Sequence, residues 1–127
     1  IVLRIVDIFS IMKQAVQLAR KSPQRNKHGC VIVNKKQIVG GGHNTYCSKF
    51  KGGSSFTSLH AEISAINNIP RYLLWDAEIY IVHIVEDTGN KIRLGNSHPC
   101  KDCAKKLSKF KKFRIKIYYS VSSTIYV

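Results

Sequence analysis

Two short stretches of this chain carry residue types that can do chemistry together. "LHAEISAI" sets His60 two residues before Glu62, and "SHPCKDCAKK" sets Cys100 and Cys103 three apart behind Pro99, at the head of a lysine-rich run. Thiols three apart at a helix start point to one side, and the positive end of the helix dipole favours their thiolate forms. Both can then bind one ion. His60 supplies a neutral imidazole from a second helix start. Three protein ligands leave the fourth tetrahedral position to water, the arrangement of a catalytic rather than a structural zinc site. A metal there lowers the pKa of bound water toward neutrality. Glu62 is close enough in sequence to a ligand to take that water's proton and hand it on without ligating the metal itself. A redox CxxC motif or half of a zinc ribbon are the competing readings of the cysteine pair. A ribbon needs a second closely spaced pair, but Cys30 and Cys47 lie seventeen apart, and neither reading accounts for His-x-Glu.

Elements must bring these stretches together across some forty intervening residues. Residues 7–20, "DIFSIMKQAVQLAR", repeat apolar side chains (Ile8, Ile11, Ala15, Leu18, Ala19) at helical spacing, with Asp7 or Ser10 as a cap. "KSPQRNKH" breaks the pattern with a proline and a basic loop. Residues 30–33 and 37–41 read as a β-hairpin turned by Asn34, Lys35 and Lys36, and the triple glycine 40–42 lets backbone approach a neighbour. A polar loop over 45–58 leads to a helix over about 58–68, closed by Asn68 and Pro70. "AEIYIVHIVED" is a strand that "DTGN" turns into a possible second arm, "KIRLG". A third helix follows over 100–113 with lysines on one face, then a strand in "RIKIYYSVSS" and a possible last one in "TIYV". This order predicts an α/β arrangement, a mixed sheet covered by helices.

The chain's 127 residues suit one domain, 1–127, with a real core. Composition is ordinary, without low-complexity tracts or short repeats, so disorder and solenoids are excluded. No apolar run approaches the roughly 20 residues that cross a bilayer, so no membrane partner is expected. The opening "IVLRIV" is too short for a secretory signal's apolar region, and the absence of an initial Met leaves room for residues upstream. A formal charge of +14 admits a nucleic-acid partner through a basic surface. Coding bias is the rival explanation, since Lys outnumbers Arg, Ile is abundant and Ala scarce. Four cysteines without a secretory signal favour metal binding over a disulfide framework.

The His-x-Glu and Pro-Cys-x-x-Cys motifs together resemble the cytidine and deoxycytidylate deaminase superfamily, zinc enzymes that act on nucleotide bases. The likeness runs from about residue 11 to residue 120. "ARKSPQRNKHGCVIV" is similar to the family's early stretch, with Gly29 and Cys30 in the places of a glycine and a small residue, and "GGGHN" to its segment ending in an asparagine. The resemblance implies a three-layer cytidine-deaminase-like fold, a five-stranded mixed sheet flanked by helices. It further implies Zn2+ held by His60, Cys100 and Cys103, with Glu62 as the catalytic proton carrier. Asn44, Ala61 and Arg25 then become candidate substrate contacts, Asn44 at the sugar. The reaction implied is hydrolytic deamination of a cytosine nucleotide or nucleoside, dCMP- or CMP-like, by a cytoplasmic homo-oligomer. Deamination of a base within RNA or single-stranded DNA, and a non-catalytic zinc module, in a viral setting for instance, are the alternatives. Two departures mark this chain: His28 replaces a usually apolar residue, and residues 84–97 add a hairpin before Pro-Cys that can contact a partner subunit, cover the pocket or be decoration.

His43 and Cys47 have metal-like spacing, but a loop near the pocket mouth suits them better. Cys30 reads as a small core residue and His83 as a satisfied strand histidine. Arg25 and Lys27 are candidates for a 5′-phosphate, with a solvated loop as the equal alternative. Trp75 reads as core, while Phe50 and Phe56 are candidates to stack on a base. The lysines of 101–116 mostly coat an exposed helix face.

Overall fold

The structure, a computed structural model, describes residues 2–47, 57–59, 61–97, 105 and 107–126, and the side chains among them except at 2–8, 45–47 and 57–59. Helix α1 (Val2–Arg20) turns Ile11, Ala15, Val16 and Ala19 onto the sheet. That small-residue seam lets the helix come close. The C-terminus is closed by hydrogen bonds from the N–H groups of Lys21 and Ser22 to the carbonyls of Leu18 and Ala19, and Pro23 follows.

Strands β1 (Lys27–Asn34) and β2 (Gln37–His43) form the expected antiparallel hairpin. Lys35 and Lys36 both take positive φ, 50° and 65°, as the two-residue turns that match strand twist require. The loop expected over 45–58 is partly ordered as strands: β3 (Thr45–Cys47) pairs antiparallel with β4 (Thr57–Leu59). Accordingly the second helix, α2 (Ala61–Asn67), starts later than its Ser and Thr suggested. A single 3₁₀ turn (Arg71–Leu74) leads into β5 (Glu78–Asp87), which β6 (Lys91–Gly95) joins as the second arm of the inserted hairpin. Of the helix predicted over 100–113, positions 105, 107 and 108 are helical, and Lys111–Phe113 form a 3₁₀ turn. Strands β7 (Lys116–Tyr119) and β8 (Ser123–Tyr126) complete the chain.

The main sheet has six strands, ordered β2-β1-β5-β6-β8, with β7 on β5. One strand exceeds the expected five because both β6 and β8 join the sheet. β7 pairs parallel with residues 78–81 and β6 pairs antiparallel with residues 83–87. The sheet is therefore mixed, and it carries helices on both faces. Side-chain alternation divides the core. Val31, Val33, Val82, Ile84, Ile92 and Leu94 pack under α1. Cys30, Ile32, Ile79 and Ile81 pack under α2 with Leu74 and Phe113. Among the described residues no helix is long and apolar enough to cross a membrane.

Two features hold α1 in place. At Gly29 a Cβ would lie 1.9 Å from the Ala15 carbonyl oxygen and 2.6 Å from the Ala19 nitrogen, so only glycine admits helical backbone against this strand. Near the helix end, Arg20 clasps the tip of the inserted hairpin. Its Nε and Nη2 donate to the two carboxylate oxygens of Asp87 at 2.7 and 3.1 Å, and Nη2 also reaches the Gly89 carbonyl. The Arg20 hydrogen bond is the main reason the Asp87 carboxyl is held below the usual carboxylate range, with the Gly89 N–H and the charges of Arg20 and Lys27 adding to it.

Gly29→Ala should cost about 3 kcal/mol, the upper part of the usual overpacking range, read from the urea midpoint. The clasp stabilises above the unfolded carboxylate pKa of about 4 and is lost as pH falls through the lower folded value. Asp87→Asn should therefore lose less stability than the parent on acidification across that window, the difference not exceeding about 1 kcal/mol for so exposed a pair.

Candidate active site

One rung of the sheet organises the region between the two motifs. Gly42 of β2 is paired with Cys30 of β1, Cys30 with Ile81 of β5, and Ile81 with Tyr119 of β7. Helix α2 sits directly on this rung. A Cβ at Gly42 would come within 2.8 Å of the Ala65 nitrogen and 3.1 Å of the Ala61 carbonyl oxygen. The neighbouring glycines serve the same end: Gly40 lies against Ile69 beyond α2, and Gly41 against Leu18 of α1 on the other face. This is the close approach the triple glycine suggested.

Ala61 and Glu62 open α2 and both are buried, Glu62 to 4% exposure. A carboxylate that deep is costly unless the fold provides for it, and in the first turn it faces the favourable end of the helix dipole. Its charge is felt by Cys30 on the rung below. Burial, and then the Glu62 carboxylate, push the Cys30 thiol well above its usual range. Cys30 is thus a neutral, enclosed thiol that forms part of the floor beneath Glu62.

The second motif is approached from the far end of the same rung. The β5–β6 hairpin extends the sheet beyond His83, and the chain comes back to it at Gly95, the pairing partner of His83. Two residues later Ser97, 2% exposed, donates from Oγ to the Ile81 carbonyl at 2.9 Å. The segments flanking both motifs are therefore fixed over adjacent residues of one rung, residue 62 above Cys30 and residue 97 at Ile81.

The next rung on this face holds His28 and His83, direct pairing partners whose rings stack with centroids 4.3 Å apart and planes 5° from parallel. His83 Nδ1 donates to the Asn96 carbonyl at 3.2 Å. Asn44 is tied to His28: its Oδ1 accepts from the His28 N–H at 2.8 Å, and its own N–H donates to the His28 carbonyl. Its Nδ2 donates to Gln24 Oε1 at 2.9 Å and to the Asn26 carbonyl. The Asn44 carbonyl accepts from Ser22 Oγ and from His43 Nδ1. Asn44 thus organises the loop after α1, and His43 is engaged with backbone. Arg25 is exposed, while Lys27 is drawn to the Ser22 carbonyl. Trp75 packs edge-on against Phe113 yet is 47% exposed. The described lysines after residue 104 lie on the surface. Phe50 and Phe56 fall outside the described residues.

His60, Cys100 and Cys103 also fall outside the described residues. The donor set they offer, one imidazole and two thiols, suits zinc with an open fourth position, and the anchored flanks on one rung fit that role. Among the described residues no other group of three His, Cys, Asp or Glu side chains could hold a metal ion. Sequence reasoning missed the floor under Glu62 and the anchor at Ser97. The alternation of β1 and β5 could have put Cys30, His28, Ile81 and His83 on one face, but nothing local marked which face.

Cys30 should resist alkylation in the native protein and react only on unfolding. Its raised folded pKa leaves stability intact below the unfolded thiol value of about 8.5 and erodes it as pH rises beyond that. Cys30→Ala should accordingly flatten the alkaline limb of the stability profile, measured by denaturant titration at successive pH values.

Comparison with known proteins follows the same lines. A family model described as the cytidine and deoxycytidylate deaminase zinc-binding region matches residues 7–119. Among solved structures, the dCMP deaminase from the cyanophage S-TIM5, in apo form, is similar with a TM-score of 0.57 at 19% identity, over 86% of this chain and 93% of that one. RibD from Acinetobacter baumannii gives a TM-score of 0.47 at 20% identity, over 86% of this chain and 33% of that one. No curated protein sequence matches significantly. The cyanophage likeness shows the fold. The family match spans α1 through β7 and includes both motifs, and the chain belongs to the cytidine and deoxycytidylate deaminase zinc-binding family.

Proposed function

We propose that this protein is a zinc-dependent hydrolase that converts the amino group of a cytosine nucleotide or nucleoside, dCMP- or CMP-like, to a carbonyl and releases ammonia. The observation that carries this reading is the shared rung. Glu62 is buried above Cys30 and Ser97 is bonded at Ile81, and Cys30 and Ile81 are paired. The flanks of both motifs are thereby held on one sheet face.

His60, Cys100 and Cys103 would hold the metal. Zinc, when bound, supplies a Lewis acid that makes water a nucleophile near neutral pH. Glu62 does the proton work. Its carboxylate takes a proton from the attacking water, delivers it to the ring nitrogen beside the reacting carbon, and then assists protonation of the departing amine. Water and cytosine are consumed, and uracil and ammonia are formed. The protein around Glu62 matters to this step, because enclosure by Ala61, Cys30 and Ala65 keeps the carboxylate from exchanging protons freely with solvent. Ala61, beside it at the start of α2, is assigned to the base. Asn44 is assigned to the sugar and Arg25 to a 5′-phosphate. The dCMP deaminase activity of the cyanophage relative is in keeping with a nucleotide substrate.

Ammonia release from cytidine, deoxycytidine, their monophosphates and a cytosine-bearing single-stranded oligonucleotide tests the proposal. Zinc content is read on the same samples. Turnover is expected on a monomeric substrate, with Glu62→Gln lowering it by about 10²–10⁴-fold, the usual contribution of a general acid-base group, while retaining zinc. Turnover on the oligonucleotide alone would move the reading to nucleic acid. A zinc-loaded protein inert on all five would leave a structural module.

A further inference from the structure

We infer that Ser97 and Ser120 act as a latch that positions Cys100 for metal binding, compensating for the inserted hairpin; this rests on the zinc reading above. The two serines are among the few buried polar residues of the described part of the chain, 2% and 7% exposed. Their bonds interlock. Ser97 Oγ donates to the Ile81 carbonyl at 2.9 Å and accepts from the Ser120 N–H at 2.8 Å. Ser120 Oγ donates to the Gly95 carbonyl at 2.7 Å and accepts from the His83 N–H at 3.2 Å. The backbone closes the same knot: the Ser97 N–H reaches the Ser120 carbonyl at 3.2 Å, and the Ser120 N–H also approaches the Ile81 carbonyl at 2.9 Å.

Each hydroxyl therefore spends its donor on a carbonyl and an acceptor site on an N–H. A buried network satisfied in this way holds one geometry, because any shift leaves a polar group without its partner in a dry place. The geometry it holds is the junction of β5, β6 and β7. There the chain returns from the hairpin tip to the level of the strand at which the insertion began, Gly95 beside His83. Without such a closure, the residues of the hairpin would add their slack to the position of everything downstream.

Cys100 is three chain steps beyond Ser97, at most about 11 Å of extended backbone. Proline at position 99 narrows the conformations open to itself and to position 98. The link from the latch to the thiol is short. Ser97 and Ser120 are positioning residues: they meet neither substrate nor metal, and act by limiting where Cys100 can be. Such supporting contacts commonly change metal affinity by 10–100-fold.

The test compares the parent with Ser97→Ala, Ser120→Ala and Arg20→Ala. Zinc affinity is measured by competition with a chromophoric chelator, and the urea midpoint of each zinc-free protein is recorded beside it. Arg20→Ala loosens the same hairpin at its tip and leaves the latch untouched. Both serine variants should lose at least about tenfold in zinc affinity, while Arg20→Ala lowers the midpoint and keeps the parent's affinity. Parental affinity in Ser97→Ala would overturn the latch. So would an equal loss in Arg20→Ala, which would reduce the effect to general destabilisation. If Ser97→Ala does not fold, Ser120→Ala decides alone, since it keeps the Ser97 bonds to the Ile81 carbonyl and the Ser120 N–H and removes the ties of Ser120 Oγ to Gly95, His83 and Ser97 Oγ. A parent that takes up no zinc would instead overturn the deaminase reading, and that failure is visible before any variant is made.

Discussion

Helix α2 can rest on the sheet only because the residues beneath its first turns are small. Gly42 meets helical backbone with no room for a methyl group, and Cys30 beside it fills the floor without lifting the helix. Ala61 and Ala65 complete the contact from above. A close-packed seam of small residues gives up apolar area, which larger side chains would have buried, and gains proximity. Proximity is what the site needs. It places the Glu62 carboxylate deep enough for its charge to raise the Cys30 thiol, and it fixes the chain just after His60. A bulkier residue at position 30 or 42 would tilt α2 and move everything it carries.

The inserted hairpin is fastened to the same framework and does not hang from it. Its inner face adds Ile92 and Leu94 to the core under α1, its outer edge pairs with β8, and its tip is clasped by Arg20. The remaining face turns Glu86, Lys91 and Arg93 outward. These contacts make the insertion an extension of the sheet. An extension has a geometric consequence for the site, because the strand that leads to the second motif no longer leads there directly. The chain must come back before it can supply its cysteines, and it comes back to the rung from which α2 is also hung.

Much of this was legible because it is local. The four-residue recurrence of Ile11, Ala15 and Ala19 specifies α1, and the alternation along residues 78–87 specifies β5. His60, Glu62, Cys100 and Cys103 carry the family's motifs by spacing alone, and the family match spans them. What escaped is non-local. Thr57 and Ser58 look like helix caps in sequence, yet they pair with Cys47 and Tyr46 across an intervening segment, so α2 starts later than local rules suggest. Ser97 and Ser120 look like ordinary loop serines. Their partners lie sixteen and twenty-three residues away along the chain, and small polar residues carry no periodic signal by which such contacts could be foreseen.

Asn44 shows how a scaffold role limits what a side chain can offer a ligand. Both Nδ2 hydrogens are already committed, one to the Asn26 carbonyl and one to the Gln24 side chain, and Oδ1 already accepts from the His28 N–H. An amide oxygen has a second lone pair, so with this scaffold intact Asn44 has only an acceptor to offer, and its partner must be a donor such as a sugar hydroxyl. Of the partners of the side-chain amide, Gln24 is the side chain that can rotate away, the others being the backbone of His28 and Asn26. Release of Gln24 would free a donor on Nδ2 and let Asn44 make a second contact, while the bonds to His28 and Asn26 kept its position. A sugar hydroxyl donates and accepts, and it is the ligand that would use both.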